Sequence, residues 1–369
     1  MRILHTADIH LDSPFSGMDV GKAQSRRREM RDTFVRMMRY AADEKLDMVI
    51  IAGDLFDSTY VTRETVSCIV REFSRLSCPV IIAPGNHDPA EAMSVWNKTA
   101  FPDNVHIFKK GSMEKISFDS LSCDVYGYGF TSSRETNCLL EGRVEDTDRI
   151  NILAVHGDTT SPLSNNAPLP VAAIRSFGAD YAALGHIHNP EAANATLGEL
   201  GAYPGCPEGR DFGECGEKGA LIVDITKESV KREFIRFAKR TYLWDTLNVD
   251  SSCDMATLEA KVRHHIASKG YGSDILLRLT LVGSVGSSLV INTARLSEMG
   301  NSLFHLEVED STSPTWDADA LLSDLGIRGE LYRTLLPDLE SADRKKRDEA
   351  SLALRYALAA LSGEDISDI

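Results

Sequence analysis

The chain has 369 residues, of which 43% are hydrophobic and 26% charged, so it can bury a large core and form two domains. Its net charge of -15 disfavours a protein that coats nucleic acid by overall attraction, although screening over about 8 Å leaves a local site free to act. No apolar stretch reaches the roughly 20 residues that span a bilayer, and the polar start does not resemble a signal peptide. We therefore expect a cytoplasmic protein that does not contact a membrane.

Seven short apolar runs, bounded by glycine, proline or polar residues, predict buried strands. In chain order they are RILHTA, DMVIIA, CPVIIAP, DVYGYG, INILAV, DYAALG and GALIVDI. Residues 25–45 and 62–76 carry apolar residues at helical spacing, so helices separate the first three strands. Strand-like segments without long helices cover 104–128 and 197–237, where we expect part of the sheet to be antiparallel. This order predicts a layered α/β core.

The pattern changes near Lys239. Two helical stretches, over 254–269 and near 289–299, alternate with the strand-like segments YLWDTLNVD, DILLRLTLV and SLFHLEVED and outline a compact α+β unit. The residues after it have leucines at helical spacing and predict a helical tail. We predict domains at 1–238, 239–312 and 313–369.

Side chains that can bind metals follow the ends of five predicted strands. They are Asp8 and His10; Asp54 and Asp57; Asn86, His87 and Asp88; His156; and His186 and His188. Loops beyond the carboxyl ends of strands in an α/β sheet converge on one crevice, where ligands bind. Five such strand ends are difficult to obtain by chance, so the pattern predicts a metal site. Because Gly185 ends a strand, the two histidines after it can each reach one of two neighbouring ions.

The mixture of ligands restricts the ion. Carboxylate, amide and imidazole groups without a thiolate favour two divalent ions, with Mn²⁺ first and Fe²⁺ or Zn²⁺ as alternatives, over Ca²⁺ or Mg²⁺. Two ions about 3.5 to 4 Å apart need a bridging carboxylate and serve displacement of oxygen at phosphorus. Asp54 is the candidate bridge, because Gly53 before it allows close backbone approach.

The strings DIHLDSPF, GDLFD, GNHD, VHG and GHIH resemble, in this order and spacing, the calcineurin-like metallophosphoesterases. Within them the chain is similar to the SbcD-type nucleases of DNA double-strand-break repair and their bacterial "DNA repair exonuclease" relatives. The resemblance covers about residues 1–237. It implies a layered β-sandwich core with flanking helices, followed by a small α+β capping domain and a helical C-terminal segment. It also implies a two-metal-dependent DNA exonuclease, with an additional endonuclease activity left open.

Transferred residue by residue, the resemblance implies two ligand sets that share one carboxylate. The first set is Asp8, His10, Asp54 and His188, and the second is Asp54, Asn86, His156 and His186. His87 would approach the scissile phosphate and aid departure of the leaving oxygen. Asp88 would orient the His87 side chain and favour its charged form. Asp57 replaces a histidine of the archaeal and eukaryotic enzymes, so the polarity of cleavage is not assigned. Asp12 either stabilises a loop or takes part in function.

Two other functions stay open. A small-molecule phosphatase or cyclic-nucleotide phosphodiesterase on the same scaffold suits the acidic composition, but such an enzyme needs no cap. A binding scaffold without catalysis is disfavoured, because every expected ligand position is occupied.

The resemblance also implies partners: DNA, and an SMC-like ATPase held by helices C-terminal to the cap, with a homodimer left open. The basic run 344–347 beside Leu354, Leu358 and Leu361 is the predicted docking seam, and a tail folded onto its own cap is the alternative. The basic stretch 22–31 either meets phosphates or forms the solvated face of a helix.

Overall fold

A computed structural model describes residues 1–286 and 289–363 of the chain. The chain divides into two units, Met1–Thr241 and Tyr242–Ile369. Among the described residues, no helix is both long and apolar enough to cross a membrane.

The first unit is built from short strands and helices that mostly match the predicted apolar runs. Its strands are β1 (Arg2–Thr6), β2 (Met48–Ile51), β3 (Val80–Ile82), β4 (Val105–Ile107), β5 (Glu114–Phe118), β6 (Cys123–Gly127), β7 (Ile150–His156), β8 (Tyr181–Gly185), β9 (Gly201–Ala202), β10 (Gly219–Ile225) and β11 (Val230–Arg236). Its helices are α1 (Val20–Asp43), α2 (Arg63–Phe73), α3 (Val95–Lys98), α4 (Val171–Phe177) and α5 (Glu191–Leu197).

Two sheets form this unit. The first has the order β11-β10-β1-β2-β3-β4 and the second the order β5-β6-β7-β8-β9. Neighbouring strands from β1 to β4 are parallel, as are those from β6 to β9. β10 pairs antiparallel with both β1 and β11, and β5 pairs antiparallel with β6. The expected antiparallel pairing in 104–128 and 197–237 is therefore confirmed.

Three apolar layers hold the sheets and helices together. One cluster joins the facing sides of the two sheets, with Ile3, Ile50 and Ile81 from the first and Val125, Ile152 and Ala183 from the second. A second cluster packs α1 and α2 on the outer face of the first sheet, and a third packs α4 and α5 on the outer face of the second. Strands covered on both faces must be apolar along their whole length, which is why they read as continuous runs. The predicted β-sandwich with flanking helices is confirmed.

The basic stretch 22–31 lies in α1 and includes a fully buried cation. Arg26 pairs with Glu29 at 2.8 Å and with Glu208 at 3.0 Å, and all three side chains are buried. Removing one partner of such a pair leaves an uncompensated buried charge and costs about 3–5 kcal/mol. Stretch 22–31 was predicted either to meet phosphates or to form the solvated face of a helix. At Arg26 both predictions are wrong, because this buried cation anchors the helix to the chain segment before β10.

A buried histidine connects the two sheets. His5 of β1 contacts the Tyr181 hydroxyl at 2.8 Å through Nδ1 and the Leu184 carbonyl oxygen at 3.1 Å through Nε2. Burial lowers the pKa of His5 to about 3. The imidazole is therefore neutral in the folded protein over the physiological range.

This histidine predicts acid sensitivity. Below pH 6.5 the unfolded chain binds a proton at His5, whereas the folded protein does not. The free energy of unfolding therefore decreases as the pH falls. Between pH 7 and pH 5 the loss is about 2 kcal/mol from this group. Urea unfolding of the wild type and of His5→Leu at both pH values measures it. We expect a smaller pH effect in the variant, and equal effects would contradict the assignment.

A three-stranded sheet in the order β12-β13-β14 starts at the boundary between the units and belongs, except for Thr241, to the second unit. Its strands are β12 (Thr241–Val249), β13 (Ile275–Gly286) and β14 (His305–Thr315), and β13 pairs parallel with β14. The helices of the second unit are α6 (Met255–Ser268), α7 (Thr293–Ser297), α8 (Ala318–Ser323), α9 (Ile327–Leu339) and α10 (Arg344–Leu361). The helix predicted near 289–299 is thus shorter than expected. The three-domain division stays a prediction, and the last six residues of the 313–369 segment lie outside the described residues.

The tail helices pack within the second unit. Leu354 and Leu358 of α10 are fully buried in a cluster with Tyr332 of α9. Arg355 donates to the Leu289 carbonyl oxygen at 2.7 Å, which holds α10 against the preceding α+β part. The predicted docking seam is therefore wrong at Leu354 and Leu358, because both leucines already have intramolecular partners.

Candidate metal centre

The predicted ligands meet beyond the carboxyl ends of β1, β2, β3, β7 and β8. On one side, Asp8, His10 and His188 offer ligand atoms that lie within 4.8 Å of one another. The Nε2 atoms of the two histidines are 3.3 Å apart, and His188 Nε2 is 3.5 Å from Asp8 Oδ1. These three residues are the first predicted ligand set, apart from Asp54, the carboxylate that the two sets share.

The second group forms around His156. Its ligand atom lies within 4.8 Å of those of Asp8 and Asp54, and its ring centroid is 5.2 Å from that of His186. His156 Nε2 is also 2.9 Å from Asn86 Oδ1. The structure thus places all members of the second predicted set side by side.

Asp54 lies between the two groups. Its Oδ2 atom is 3.8 Å from His10 Nε2 and 3.6 Å from His156 Nε2. The side chains of these three residues are almost completely buried. This is the position that a bridging carboxylate requires.

The chemistry of the donors fits a metal. His156 Nδ1 donates to the Ala52 carbonyl oxygen at 3.0 Å, so in the neutral ring Nε2 is an acceptor. That acceptor faces the amide oxygen of Asn86, which is another acceptor. Two acceptors this close, beside buried carboxylates, are stabilised by a shared cation, because buried charges are paired or coordinate metals. The residues present therefore fit divalent ions.

The backbone at this site adopts an unusual conformation. Asp8, His10 and Asp54 have φ angles of 52°, 50° and 50°, and His186 has 116°. Positive φ is uncommon outside glycine and costs about 1–3 kcal/mol per residue when the surroundings impose it. These turns direct side chains from several strand ends into one crevice.

Two glycines make room for the ligands. A Cβ atom on Gly53, whose φ is +97°, would lie 2.1 Å from His156 Nδ1. One on Gly85 would lie 2.2 Å from Asp54 Oδ1. Neither position tolerates a side chain without displacing a candidate ligand.

His87 lies at the exposed rim of the site. Its backbone N–H donates to Asp54 Oδ1 at 2.9 Å, and its Nδ1 donates to the Asp57 carbonyl oxygen at 2.8 Å. With Asn86, it lines an open cavity of about 490 Å³. Because Nδ1 is engaged in this hydrogen bond, Nε2 is the ring nitrogen that can contact a substrate or a metal. The His87 ring lies 4.7 Å from that of His10.

Asp88 has a different partner from the predicted one. Its carboxylate accepts the N–H groups of Gly85 at 2.8 Å and Phe56 at 3.1 Å. Burial and the neighbouring Asp54 raise the pKa of Asp88, and these N–H groups oppose the rise. The predicted pairing of Asp88 with His87 is wrong, because Asp88 instead fixes the backbone that carries Asn86 and His87.

The sequence comparisons agree with this geometry. The family model of the calcineurin-like phosphoesterases matches residues 1–190, just over half of the chain. The chain belongs to the calcineurin-like phosphoesterase family. It is 29% identical over 303 residues to the "Uncharacterized metallophosphoesterase YhaO" of Bacillus subtilis (strain 168), with 77% of this chain and 72% of that protein covered.

Two similar relatives are the SbcD components of the nuclease SbcCD. The one from Bacillus subtilis (strain 168) is 27% identical over 266 residues, with 61% of this chain and 66% of the relative covered. The one from Staphylococcus epidermidis (strain ATCC 12228 / FDA PCI 1200) is 25% identical over 269 residues, with 63% and 68% covered. This calcineurin-like phosphoesterase is therefore a metal-dependent hydrolase of phosphate esters.

The sequence analysis missed two residues of the phosphoesterase site, both between β9 and β10. Glu214 accepts from His188 Nδ1 at 2.6 Å. Arg210 pairs with Glu214 at 2.8 Å and with Asp57 at 3.0 Å. Burial lowers the pKa of His188, but Asp8 and Glu214 outweigh it and raise it to about 10. A carboxylate on the far nitrogen of a metal-binding histidine orients the ring and increases its basicity.

Glu214 should therefore control metal affinity. We expect Glu214→Gln to weaken Mn²⁺ binding about 10- to 100-fold, the usual effect of losing such a partner. Isothermal titration calorimetry on the metal-free protein measures the change. Glu217→Gln, an exposed glutamate of the same loop, is the matched control. Equal Mn²⁺ affinity in both variants would show that Glu214 does not orient a ligand.

Asp12 and Arg31 belong to the support of the site. Asp12 accepts from the Thr62 N–H at 2.8 Å and from the Thr65 hydroxyl at 2.6 Å, at the start of α2. Arg31 lies 3.6 Å from the same carboxylate. These contacts favour the loop-stabilising interpretation of Asp12.

Proposed function

We propose that this phosphoesterase is a two-metal-dependent DNA nuclease that hydrolyses phosphodiester bonds at DNA ends during repair in the cytoplasm. The observation that carries the proposal is the position of Asp54 between two groups of buried nitrogen and oxygen donors. The two relatives that belong to the nuclease SbcCD support a nucleic acid as the substrate. Exonuclease activity is the main expectation, and endonuclease activity is secondary.

Each residue has a proposed role. One ion would be held by Asp8, His10, Asp54 and His188, and the other by Asp54, Asn86, His156 and His186. Two such ions supply an activated water and neutralise charge on the phosphate. The chain contributes the orientation of these ligands, through the Ala52 carbonyl behind His156 and Glu214 behind His188.

His87 is the proposed general acid. Its Nδ1 is held by the Asp57 carbonyl oxygen, which leaves Nε2 to give a proton to the departing oxygen. Its exposure and its place on the wall of the open cavity would let a substrate phosphate reach it.

Mn²⁺ is the proposed ion. The four imidazoles in the two sets suit Mn²⁺, Fe²⁺ or Zn²⁺, whereas Mg²⁺ prefers oxygen ligands and retains its waters. We expect faster hydrolysis with Mn²⁺ than with Mg²⁺ at equal concentration.

The test compares DNA with a generic phosphodiester. The purified protein with Mn²⁺ is given linear duplex, single-stranded and hairpin DNA, and separately bis-p-nitrophenyl phosphate. The nuclease proposal predicts that DNA is degraded and that EDTA stops the reaction. If bis-p-nitrophenyl phosphate is hydrolysed while every DNA form stays intact, the small-molecule phosphodiesterase takes over, which the net charge of -15 favours.

We propose further that residues 239–312, nearly all of them in the second unit, form a DNA-capping region, and that the second unit also carries the docking region for an SMC-like ATPase. The exposed apolar side chains at the α8–α9 turn support the second role, since Leu325 is 97% and Ile327 69% exposed. Leu325→Asp with Ile327→Asp should abolish co-elution with that ATPase from the same organism. Leu163→Asp, an exposed leucine of the first unit, is the control. If the double variant co-elutes with the ATPase as the control does, this surface is not the docking site. Without the ATPase, a measured mass of two chains would support a homodimer.

A further inference from the structure

A second cavity lies next to the catalytic one, and the two share a lining residue. The catalytic cavity, of about 490 Å³, is lined by His87 and Thr59, and Thr59 also lines a neighbouring cavity of about 740 Å³. The second volume is within the range of small-ligand sites. A substrate whose phosphate lies at His87 would therefore reach the second cavity with its next nucleotide.

Two large apolar side chains that line this second cavity are exposed to solvent. Tyr60 is 89% exposed and Met93 is 73% exposed, and both line it. Single exposed apolar residues are common, but two that line one cavity next to a catalytic centre form a surface for a planar apolar group. A tyrosine ring stacks on nucleic-acid bases, and a methionine adapts to their edges.

The charged side chains that line the second cavity are basic, whereas the chain as a whole is acidic. Arg63 and Lys98 line it, and both are exposed. Its lining residues, all within the described ranges, include no aspartate or glutamate, although the chain carries a net charge of -15. Hydroxyl groups of Thr59, Thr62 and Thr99 complete the lining. This composition suits a phosphate group.

Hydrogen bonds fix the backbone of both walls of the second cavity. Asp12 ties down Thr62 at the start of α2, and the Tyr60 N–H donates to Ser58 Oγ at 3.2 Å. On the other wall, α3 is anchored by fully buried Trp96, whose indole N–H donates to the Asp88 carbonyl oxygen. Because the backbone of both walls is fixed in this way, ligand binding has to order mainly the exposed side chains.

We propose that this second cavity binds the nucleotide adjoining the scissile phosphate, with its base on Tyr60 and Met93 and its outer phosphate near Arg63 and Lys98. This inference rests on the proposed nuclease function and assigns a subsite to it. Recognition through stacking accepts any base, so the subsite favours unpaired nucleotides without reading sequence.

The test combines a protein change with a substrate change. Oligothymidylate is prepared intact and with an abasic residue at either position flanking the first scissile bond, and KM is measured with Mn²⁺. In the wild type, the abasic residue on the subsite side should raise KM about 5- to 100-fold, the range for a lost base–aromatic stack. In Tyr60→Ala the same abasic residue should change KM less than 2-fold, and Tyr60→Phe should restore the wild-type response.

Lys98 gives an independent measurement. Lys98→Ala should lower the slope of log affinity against log salt concentration by about one, because one phosphate contact is lost. Lys231→Ala, an exposed lysine on β11, is the control and should keep the wild-type slope. Binding of a hydrolysis-resistant phosphorothioate oligothymidylate is followed by fluorescence anisotropy with Mn²⁺ present, so this readout does not depend on turnover.

The outcomes separate the two proposals. A wild type that leaves every oligonucleotide intact, while it hydrolyses bis-p-nitrophenyl phosphate, overturns the nuclease function and the subsite with it. A wild type that degrades oligothymidylate, but shows the same abasic effect as Tyr60→Ala, overturns the subsite alone. Tyr60 is exposed, so thermal unfolding of its variants should match the wild type and exclude misfolding.

Discussion

Replacing Asp54 with alanine is expected to disturb both metal ions at once. Its Oδ2 atom lies 3.8 Å from one histidine nitrogen, His10 Nε2, and 3.6 Å from another, His156 Nε2. Loss of a partner behind a ligand already weakens metal binding about 10- to 100-fold, so loss of a shared ligand should exceed about 100-fold for each ion. Metal content after gel filtration, measured by mass spectrometry, should fall from two ions per chain towards none.

A second variant separates charge from backbone conformation. Asp54 has a φ of 50°, which alanine adopts at a cost, whereas asparagine tolerates it well. Asp54→Asn should therefore fold like the wild type and still lose metal. Asp224→Asn, an exposed aspartate of β10, is the control. Retention of one full ion in both Asp54 variants would mean that Asp54 serves a single metal and is no bridge.

The strands of the layered core could be predicted because they are buried on both faces, whereas their arrangement as a sandwich was implied only by the family resemblance. Apolar runs such as INILAV at β7 and GALIVDI at β10 must exclude polar residues along nearly their whole length, so their ends are visible in the sequence. The helix near 289–299 was harder to predict, because apolar residues at helical spacing also occur in irregular segments that cover a sheet. Only Thr293–Ser297 is helical there.

Candidate metal ligands could be proposed from the sequence, but the residues that support them could not. Residues after strand ends converge in any such sheet, so Asp8 and His156 were accessible from sequence. Glu214 lies 26 residues after His188, and no spacing rule connects them. The left-handed backbone at the strand ends is also invisible, although aspartate and histidine tolerate it better than most residues.

Charge runs were the least informative part of the sequence. Arg26 stands in a stretch of arginines that is typical of an exposed helix face, and yet it is fully buried. One of its two carboxylate partners described above, Glu208, is 182 residues away, so only the folded chain shows this pair. Burial of a charge depends on a partner of opposite charge, and sequence periodicity does not report partners.

The second large effect concerns His87. Replacing it with alanine should lower turnover on DNA at least about 100-fold, the scale of lost general acid catalysis, while both ions stay bound. The assignment rests on its exposure and on the hydrogen bond that fixes Nδ1 and leaves Nε2 at the open cavity. His106→Ala, a half-buried histidine of β4, is the control.

Two measurements distinguish an acid from a metal ligand. A p-nitrophenolate leaves readily without a proton, whereas the alkoxide of a DNA strand needs one, so the loss in His87→Ala should be larger on DNA than on bis-p-nitrophenyl phosphate. Metal content supplies the second criterion, because His87 also lies within 4.8 Å of ligand atoms of His10 and Asp54. If His87→Ala loses one ion and slows both substrates equally, His87 binds metal and the general acid is another group.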